Sequence, residues 1–310
     1  MVNKMNITAI IVTYNRDSKL KASIDSLYKG LRAPDNVVIV NNASTDNTQT
    51  VIDELCVEYS SIHVVQSKKN IGGAGGFCLG LAAAYKIGAT HFWIMDDDGL
   101  AVDSSLSNLV RGYETLNAMH KVGFVCSKVD WVDGNICEMN QPETSWNWMR
   151  VYKKEEPYIQ IQACSFVSCF FSRDILEESG LPLKDFFIWF DDSEFTRRLS
   201  RNYPCFAILD SVVIHDTPIN QGVYFGAVND ANIWKYSYGA ANEAWYRFKK
   251  ESVLHGLLFV TQKNIDMHRG KVSYKNRLKI NKKFISGVLT SHKIQKVQDF
   301  KLEDYTVNEK

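Results

Sequence analysis

Asp96-Asp97-Asp98 stands directly after the apolar run Phe92-Trp93-Ile94-Met95. Three adjacent carboxylates repel one another, so a fold that holds them at a strand end needs a cation nearby. Hard divalent ions such as Mg²⁺ and Mn²⁺ take carboxylate oxygens and bridge them to diphosphates. The competing reading is a solvated acidic turn in which Asp98 or Asp103 caps the next helix. A second acidic group, Asp191-Asp192-Ser193-Glu194, emerges from the aromatic stretch Phe187-Ile188-Trp189-Phe190. An apolar wall raises a carboxylate's proton affinity toward the working range of a general base. It also gives a sugar ring a flat surface to stack on. The plainer alternative is that Asp191 or Asp192 caps a helix over residues 192–202, with Glu194 pairing with Arg198 one turn on. His215 closes the apolar run 207–214. A histidine at a strand end is more often a satisfied structural residue than a ligand, and the ligand reading gains from two upstream acidic clusters that call for a metal. Gly72-Gly73-Ala74-Gly75-Gly76 has the composition of a phosphate-cradling loop ahead of a helix over 76–87. It is not the dinucleotide fingerprint, because counting from Gly73 and Gly75 puts Cys78 where the third glycine belongs, and the lysine-bearing P-loop pattern is absent as well.

These groups need elements to position them. β-branched runs at 7–12, 37–40, 62–65 and 92–95 alternate with segments of helical character at 18–27 and 46–58 and with the helix after the glycines. Strand–helix–strand repetition with polar linkers predicts parallel βαβ units, hence an α/β fold with an open sheet covered on both faces. Ligands of such sheets collect beyond the carboxyl ends of the strands. That is where Thr13-Tyr14-Asn15-Arg16, Asn41-Asn42, Asn70-Ile71-Gly72-Gly73 and the aspartate triplet fall. Four consecutive polar strand ends read as one site. Further on, Val132-Asp133-Gly134-Asn135 reads as a hairpin turn and residues 160–171 as one buried strand. After about residue 226 the pattern turns helical and then basic, which divides the chain into a catalytic domain over 1–225 and a helical region over 226–310.

Bulk properties exclude several classes. The chain has 310 residues, 45% of them hydrophobic, and a net charge of +1. It can bury a substantial core, and no global field marks it as a nucleic-acid binder. Seven scattered cysteines without a C-x-x-C pair fit a reducing cytosol better than a disulfide framework or a zinc cluster. No apolar run approaches the length of a membrane span, so a cytoplasmic protein is expected, soluble or peripheral on the inner face of the membrane. Residues 263–296 carry ten Lys or Arg against the single acid Asp266. With interspersed apolar residues, the segment suits an anionic membrane surface and a solvated basic helix equally.

In this order, Thr13-Tyr14-Asn15-Arg16, Asn41-Asn42-Ala43-Ser44-Thr45-Asp46, Asn70-Ile71-Gly72-Gly73, Asp96-Asp97-Asp98, Phe190-Asp191-Asp192 and His215 resemble the inverting GT-A glycosyltransferases of family 2. The resemblance spans roughly residues 6–216. Within the family it is most similar to bacterial galactofuranosyltransferases, with rhamnosyltransferases next. It implies a Rossmann-like, mostly parallel sheet and a nucleotide-diphosphate sugar as donor. It also implies a glycan acceptor that is lipid-linked or part of a bacterial polysaccharide, and Mn²⁺ or Mg²⁺ as cofactor. Residue by residue, it puts Thr13, Asn15, Arg16, Asn42, Asp46 and Asp97 around the nucleotide and Asn70, Gly72 and Gly73 by the diphosphate or donor sugar. Asp96, Asp98 and His215 fall on the metal, Asp192 on the catalytic base with Asp191 beside it, and Trp189 by the acceptor. Two positions depart from the family. Asn41-Asn42 replaces a frequent Asp-Asp, and no arginine follows the glycines, which leaves diphosphate neutralisation more to the metal. The triple aspartate points toward galactofuranose, since rhamnosyl relatives usually carry Gln in its middle. Two other readings remain: a nicotinamide-dependent oxidoreductase, which leaves three acids unexplained, and an inactive nucleotide-sugar-binding scaffold on the membrane.

Overall fold

The computed structural model describes residues 4–302 and 306–308. The first third is strictly alternating: β1 (Ile7–Thr13), α1 (Asp17–Lys29), β2 (Asn36–Asn41), α2 (Thr48–Glu58), β3 (Ile62–Gln66), α3 (Gly72–Lys86) and β4 (His91–Asp96). The middle adds β5 (Gly99–Ala101), α4 (Ser105–Asn117), β6 (Val125–Trp131), β7 (Glu143–Thr144), β8 (Tyr158–Ala163), β9 (Cys169–Ser172), α5 (Arg173–Ser179), α6 (Asp191–Ser200) and β10 (Cys205–His215). Three helices follow, α7 (Ile233–Tyr246), α8 (Val253–Arg269) and α9 (Tyr274–Leu289), and then the short β11 (Thr306–Asn308).

All strands join one sheet in the order β11-β3-β2-β1-β4-β9-β6-β10-β8-β7, with β5 paired to β10. Neighbours from β3 to β4 are parallel, as are β6 and β10, and the remaining pairs are antiparallel. The period-two alternation of a strand divides the core. Ile10, Val38, Val40 and Ile94 meet α3 on one face, whereas Ala9, Ile11, Ile39 and Met95 meet α1, α2 and α4 on the other. A third apolar cluster, including Phe225, Ala240, Phe259, Ile280 and Phe284, binds α7, α8 and α9 together.

Two sequence expectations are corrected here. Residues 160–171 do not form one strand. β8 pairs with β10 while β9 pairs with β4 and β6, so the chain must leave one row and enter another three places away, with β10 and β6 between them. The glycine run is not a loop ahead of a helix, because α3 already begins at Gly72. A Cβ on Gly76 would lie 2.4 Å from Val12 Cγ1, and one on Gly80 would lie 2.5 Å from Ile10 Cγ2. Those glycines accept poor helix propensity so that α3 can lie close on β1.

Candidate functional site

β4 delivers Asp96 at its carboxyl end. The chain then turns through Asp97 and Asp98 into β5, whose antiparallel pairing with β10 sets His215 opposite Gly99. Asp216 N donates to Asp98 O at 2.9 Å and fixes the register. Asp96, Asp98 and His215 thereby offer three ligand atoms within 4.8 Å of one another. Two carboxylate oxygens and an imidazole nitrogen suit a hard or borderline divalent cation. The helix-cap alternative for the triplet fails: Ser104 is the N-cap of α4, and the Asp98 carboxylate goes to His215 and Arg16.

The electrostatics show how tightly these charges are held. Burial pushes Asp96 up to about 7, with Asp98 adding to it, and burial takes Asp97 to about 6 although Arg16 partly offsets the rise. Asp98 lies below its ordinary value: burial would raise it, but the hydrogen bond and charge of His215 together with Arg16 prevail. Three carboxylates at this strand end do not all ionise comfortably with one arginine and one histidine for company, which is the situation a bound dication relieves. His215 Nε2 lies 3.0 Å from Asp98 Oδ1 and its Nδ1 lies 2.7 Å from Asn140 Oδ1. With Asn140 accepting, Nδ1 carries the hydrogen and Nε2 is the nitrogen turned toward the carboxylates. Asn140 sits in a short helical turn with no motif around it, and nothing in the sequence singles it out.

The predicted nucleotide-side residues come together in two layers. Asn15, at φ 53°, donates its N–H to Ser44 Oγ at 3.0 Å and accepts from Thr45 N at 2.7 Å, stitching the segment after β1 to the one after β2. Thr13 is buried at the end of β1. Arg16 reaches Asp98 and lies 3.9 Å from Asp97. Exposed Asp46 accepts from Thr48 N at 3.0 Å at the start of α2. Asn42 is buried and its amide is fully engaged: it donates to Asn70 Oδ1 at 3.2 Å and Gly72 O at 3.1 Å, and accepts from Ile71 N at 2.9 Å. This gives the Asn-Asn departure a physical reason, since a carboxylate at position 42 has no hydrogen to donate to those oxygens. Gly72 has φ +75°, and a Cβ there would sit 2.1 Å from Phe187 O. Gly73 has open space where a Cβ would be.

Phe187 O also accepts from Ala74 N at 3.1 Å, which joins the glycines to the aromatic segment leading to the second acidic group. The alternative that Asp191 or Asp192 caps the helix is corrected: the N-cap of α6 is Phe190, in the left-handed region, and Asp191, Asp192 and Glu194 occupy the first turn. Glu194 pairs with Arg198 at 3.0 Å, the expected one-turn ion pair. Asp191 is buried and Asp192 half-buried. Burial raises both, and the neighbouring charge of Asp192 lifts Asp191 well above the carboxylate range. The charge of Asp192 reaches Asp96 and adds to its rise, so the head of α6 lies within electrostatic range of the end of β4. Trp189 lies edge-on to Tyr236, with ring centroids 4.8 Å apart.

Comparison with known proteins fits this arrangement. Residues 8–180 match the family model described as glycosyl transferase family 2. Among curated proteins the chain is 27% identical over 212 residues to galactofuranosyltransferase GlfT1 of Mycolicibacterium smegmatis, covering 63% of this chain and 66% of that protein. It is 27% identical over 221 residues to GlfT1 of Mycobacterium tuberculosis, covering 68% and 70%. The chain thus spans about two thirds of the length of these relatives. Among solved structures, GalNAc-T7 with UDP, GalNAc and Mn²⁺ superposes with a TM-score of 0.58 at 14% identity, covering 81% of this chain and 50% of that one. The mannosyltransferase PcManGT from Pyrobaculum calidifontis, in complex with GDP-Man and Mn²⁺, gives 0.57 at 15% identity over 93% and 87%. At such identities the two structures speak for the fold alone. The chain belongs to glycosyl transferase family 2 and carries the GT-A fold.

Proposed function

We propose that this chain is an inverting, metal-dependent glycosyltransferase that moves galactofuranose from UDP-galactofuranose onto a hydroxyl of a lipid-linked bacterial glycan. The observation that carries the reading is the cluster of Asp96, Asp98 and His215, with the charge of Asp192 within reach of Asp96. Asp192 removes the proton from the acceptor hydroxyl as its oxygen attacks the anomeric carbon from the face opposite the diphosphate. The bond from that carbon to the diphosphate oxygen breaks, and its electron pair leaves with UDP. Asp96, Asp98 and His215 are the residues that hold Mn²⁺ or Mg²⁺, which when bound supplies charge neutralisation for the departing diphosphate. Arg16, beside Asp97 and Asp98, adds a fixed positive charge on the nucleotide side. Asn15, Thr13 and Asp46 border the nucleoside, Gly73 leaves room for the donor, and Trp189 offers the acceptor a ring face.

Binding and slow hydrolysis of a panel of nucleotide sugars, with Mn²⁺ and with excess chelator, test this directly. Metal-dependent preference for UDP-galactofuranose is the expected result. A preference for dTDP-rhamnose keeps the mechanism and changes the sugar. No metal-dependent response to any donor points to a nucleotide-sugar-binding scaffold.

The same reading places the chain at an anionic membrane surface, where a lipid-linked acceptor resides. Among the described residues no helix is long and apolar enough to cross a membrane. α8 and α9 instead keep apolar stripes exposed at helical spacing: Leu254, Leu257, Leu258 and Ile265 on one, Leu278, Ile285 and Leu289 on the other. Lys275, Lys279, Lys282 and Lys283 are exposed along the side of the second stripe. The reciprocal Asn264–Asn281 amide pair, at 3.0 and 2.9 Å, ties the helices along the edges of those stripes. An amphipathic pair with this charge suits anionic headgroups, at about 1 kcal/mol for each lysine near the surface. Two such faces repel one another. Deleting the segment is a poor test, because Ile280 and Phe284 of α9 belong to the apolar core under α7. Leu254→Ser with Leu258→Ser leaves that core intact and is expected to abolish cosedimentation with phosphatidylglycerol vesicles. Wild-type binding weakens with salt, and wild-type protein that ignores such vesicles removes the membrane reading.

A further inference from the structure

The segment that leads into Asp192 has a backbone that its own sequence does not favour. Phe187, Trp189 and Phe190 have φ of 62°, 68° and 71°. Bulky L-residues rarely adopt this region, and such strain persists only where the surroundings over-determine it. Beside the bond from Ala74 N of α3 to Phe187 O, those surroundings come largely from α7, which lies beyond the residues that match the family model. Asn242 of α7 is buried, and its side-chain nitrogen donates to Phe186 O at 3.0 Å, Ile188 O at 3.2 Å and Trp189 O at 2.8 Å. Gly239, one turn earlier, gives the indole its seat, since a Cβ there would stand 2.6 Å from Trp189 Cε3. Tyr238 stacks on Phe187 at 4.8 Å, and Tyr246 meets Phe190 edge-on at 5.2 Å.

We propose that Asn242 is a positioning residue for the catalytic base, holding residues 186–190 in their strained path so that Asp192 faces the acceptor hydroxyl. An amide is the group for this task. Its –NH₂ answers several carbonyl oxygens converging from one side, where a carboxylate repels them and an apolar group leaves them unpaired in a buried place. The helical region after residue 225 is then part of the active site, not only a base for membrane contact.

The inference rests on the proposed role of Asp192, and the test separates the two. Asn242→Ala is expected to lower kcat about 10²-fold, the scale of a small displacement of a reacting group, while Mn²⁺-dependent binding of UDP stays within about twofold. In an Asp192→Asn background the same change is expected to cost almost nothing more, because a residue that acts through another is non-additive with it. Gly239→Ala, which presses on Trp189 with Asn242 intact, is expected to give the same pattern. Unchanged kcat in Asn242→Ala, or an equal loss in both backgrounds, overturns the proposal. Loss of UDP binding together with turnover in both α7 variants assigns the helix to general folding and overturns it too. Wild-type protein that transfers no sugar removes the underlying reading instead.

Discussion

Asp192→Asn lowers turnover about 10²- to 10⁴-fold, the contribution of a positioned general base, and leaves donor binding nearly unchanged. The substitution keeps the size of the side chain, and its carbonyl oxygen still accepts from Ser193 N, as Asp192 Oδ1 does at 2.6 Å. Only the capacity to take a proton is lost. Asp192, the acid that the family resemblance assigns as the base, is also the more accessible of the pair, half-buried where Asp191 is buried. Burial raises both, but Asp191 is also lifted by the Asp192 charge and stands well above the carboxylate range. The sign of the pH dependence follows. A base must be deprotonated to act, so wild-type kcat rises with pH through a value above the usual carboxylate pKa of about 4, and Asp192→Asn lacks that limb. Initial rates across pH, paired with UDP titrations, check both statements. A fall in donor affinity that matches the fall in rate shows instead that Asp192 shapes the head of α6.

Asp98→Ala abolishes metal-dependent UDP binding and turnover together. Asp98 joins the metal-side cluster to the nucleotide side, since its two oxygens face His215 Nε2 and the Arg16 guanidinium. Removing it leaves Asp96 and His215 as a two-ligand remnant and releases Arg16 from its partner. Arg16 is about half exposed and turns to solvent, so the loss falls on ligand binding more than on the fold. Calorimetric titration of UDP with Mn²⁺ and with chelator reads the first effect, and a thermal melt reads the second. Full wild-type activity in excess chelator removes the metal from the reading altogether, whatever the variant does.

The sequence by itself determined the parts of this protein whose signals are local. Four apolar runs became β1 to β4 because near-continuous apolar residues bury both faces of a parallel sheet. The polar clusters fell at the carboxyl ends of those strands because parallel strands with crossover helices bring their ends to one edge. The aspartate triplet and the Asp191-Asp192 pair were legible for the same reason: like charges packed beside apolar runs announce a partner. The order of six motifs was enough to indicate the family, which the match over residues 8–180 shows independently.

Tertiary structure alone decided what depends on contacts between distant segments. Asp98 and His215 are 117 residues apart and meet because β5 pairs with the end of β10. Asn140, which orients His215, carries no pattern that distinguishes it from any loop asparagine. The glycine run looked like a loop because glycine is common in loops, but α3 needs glycine in order to approach Val12 and Ile10. Residues 160–171 read as one strand because hydrophobicity reports burial and not which neighbour a strand pairs with. The strained path of residues 186–190 is held between α3, where Ala74 N meets Phe187 O, and α7, where one amide group meets three carbonyl groups. Periodicity and charge are properties of a short segment, whereas register, close approach and hydrogen-bond partnership belong to pairs of segments, and only the folded chain brings those pairs together.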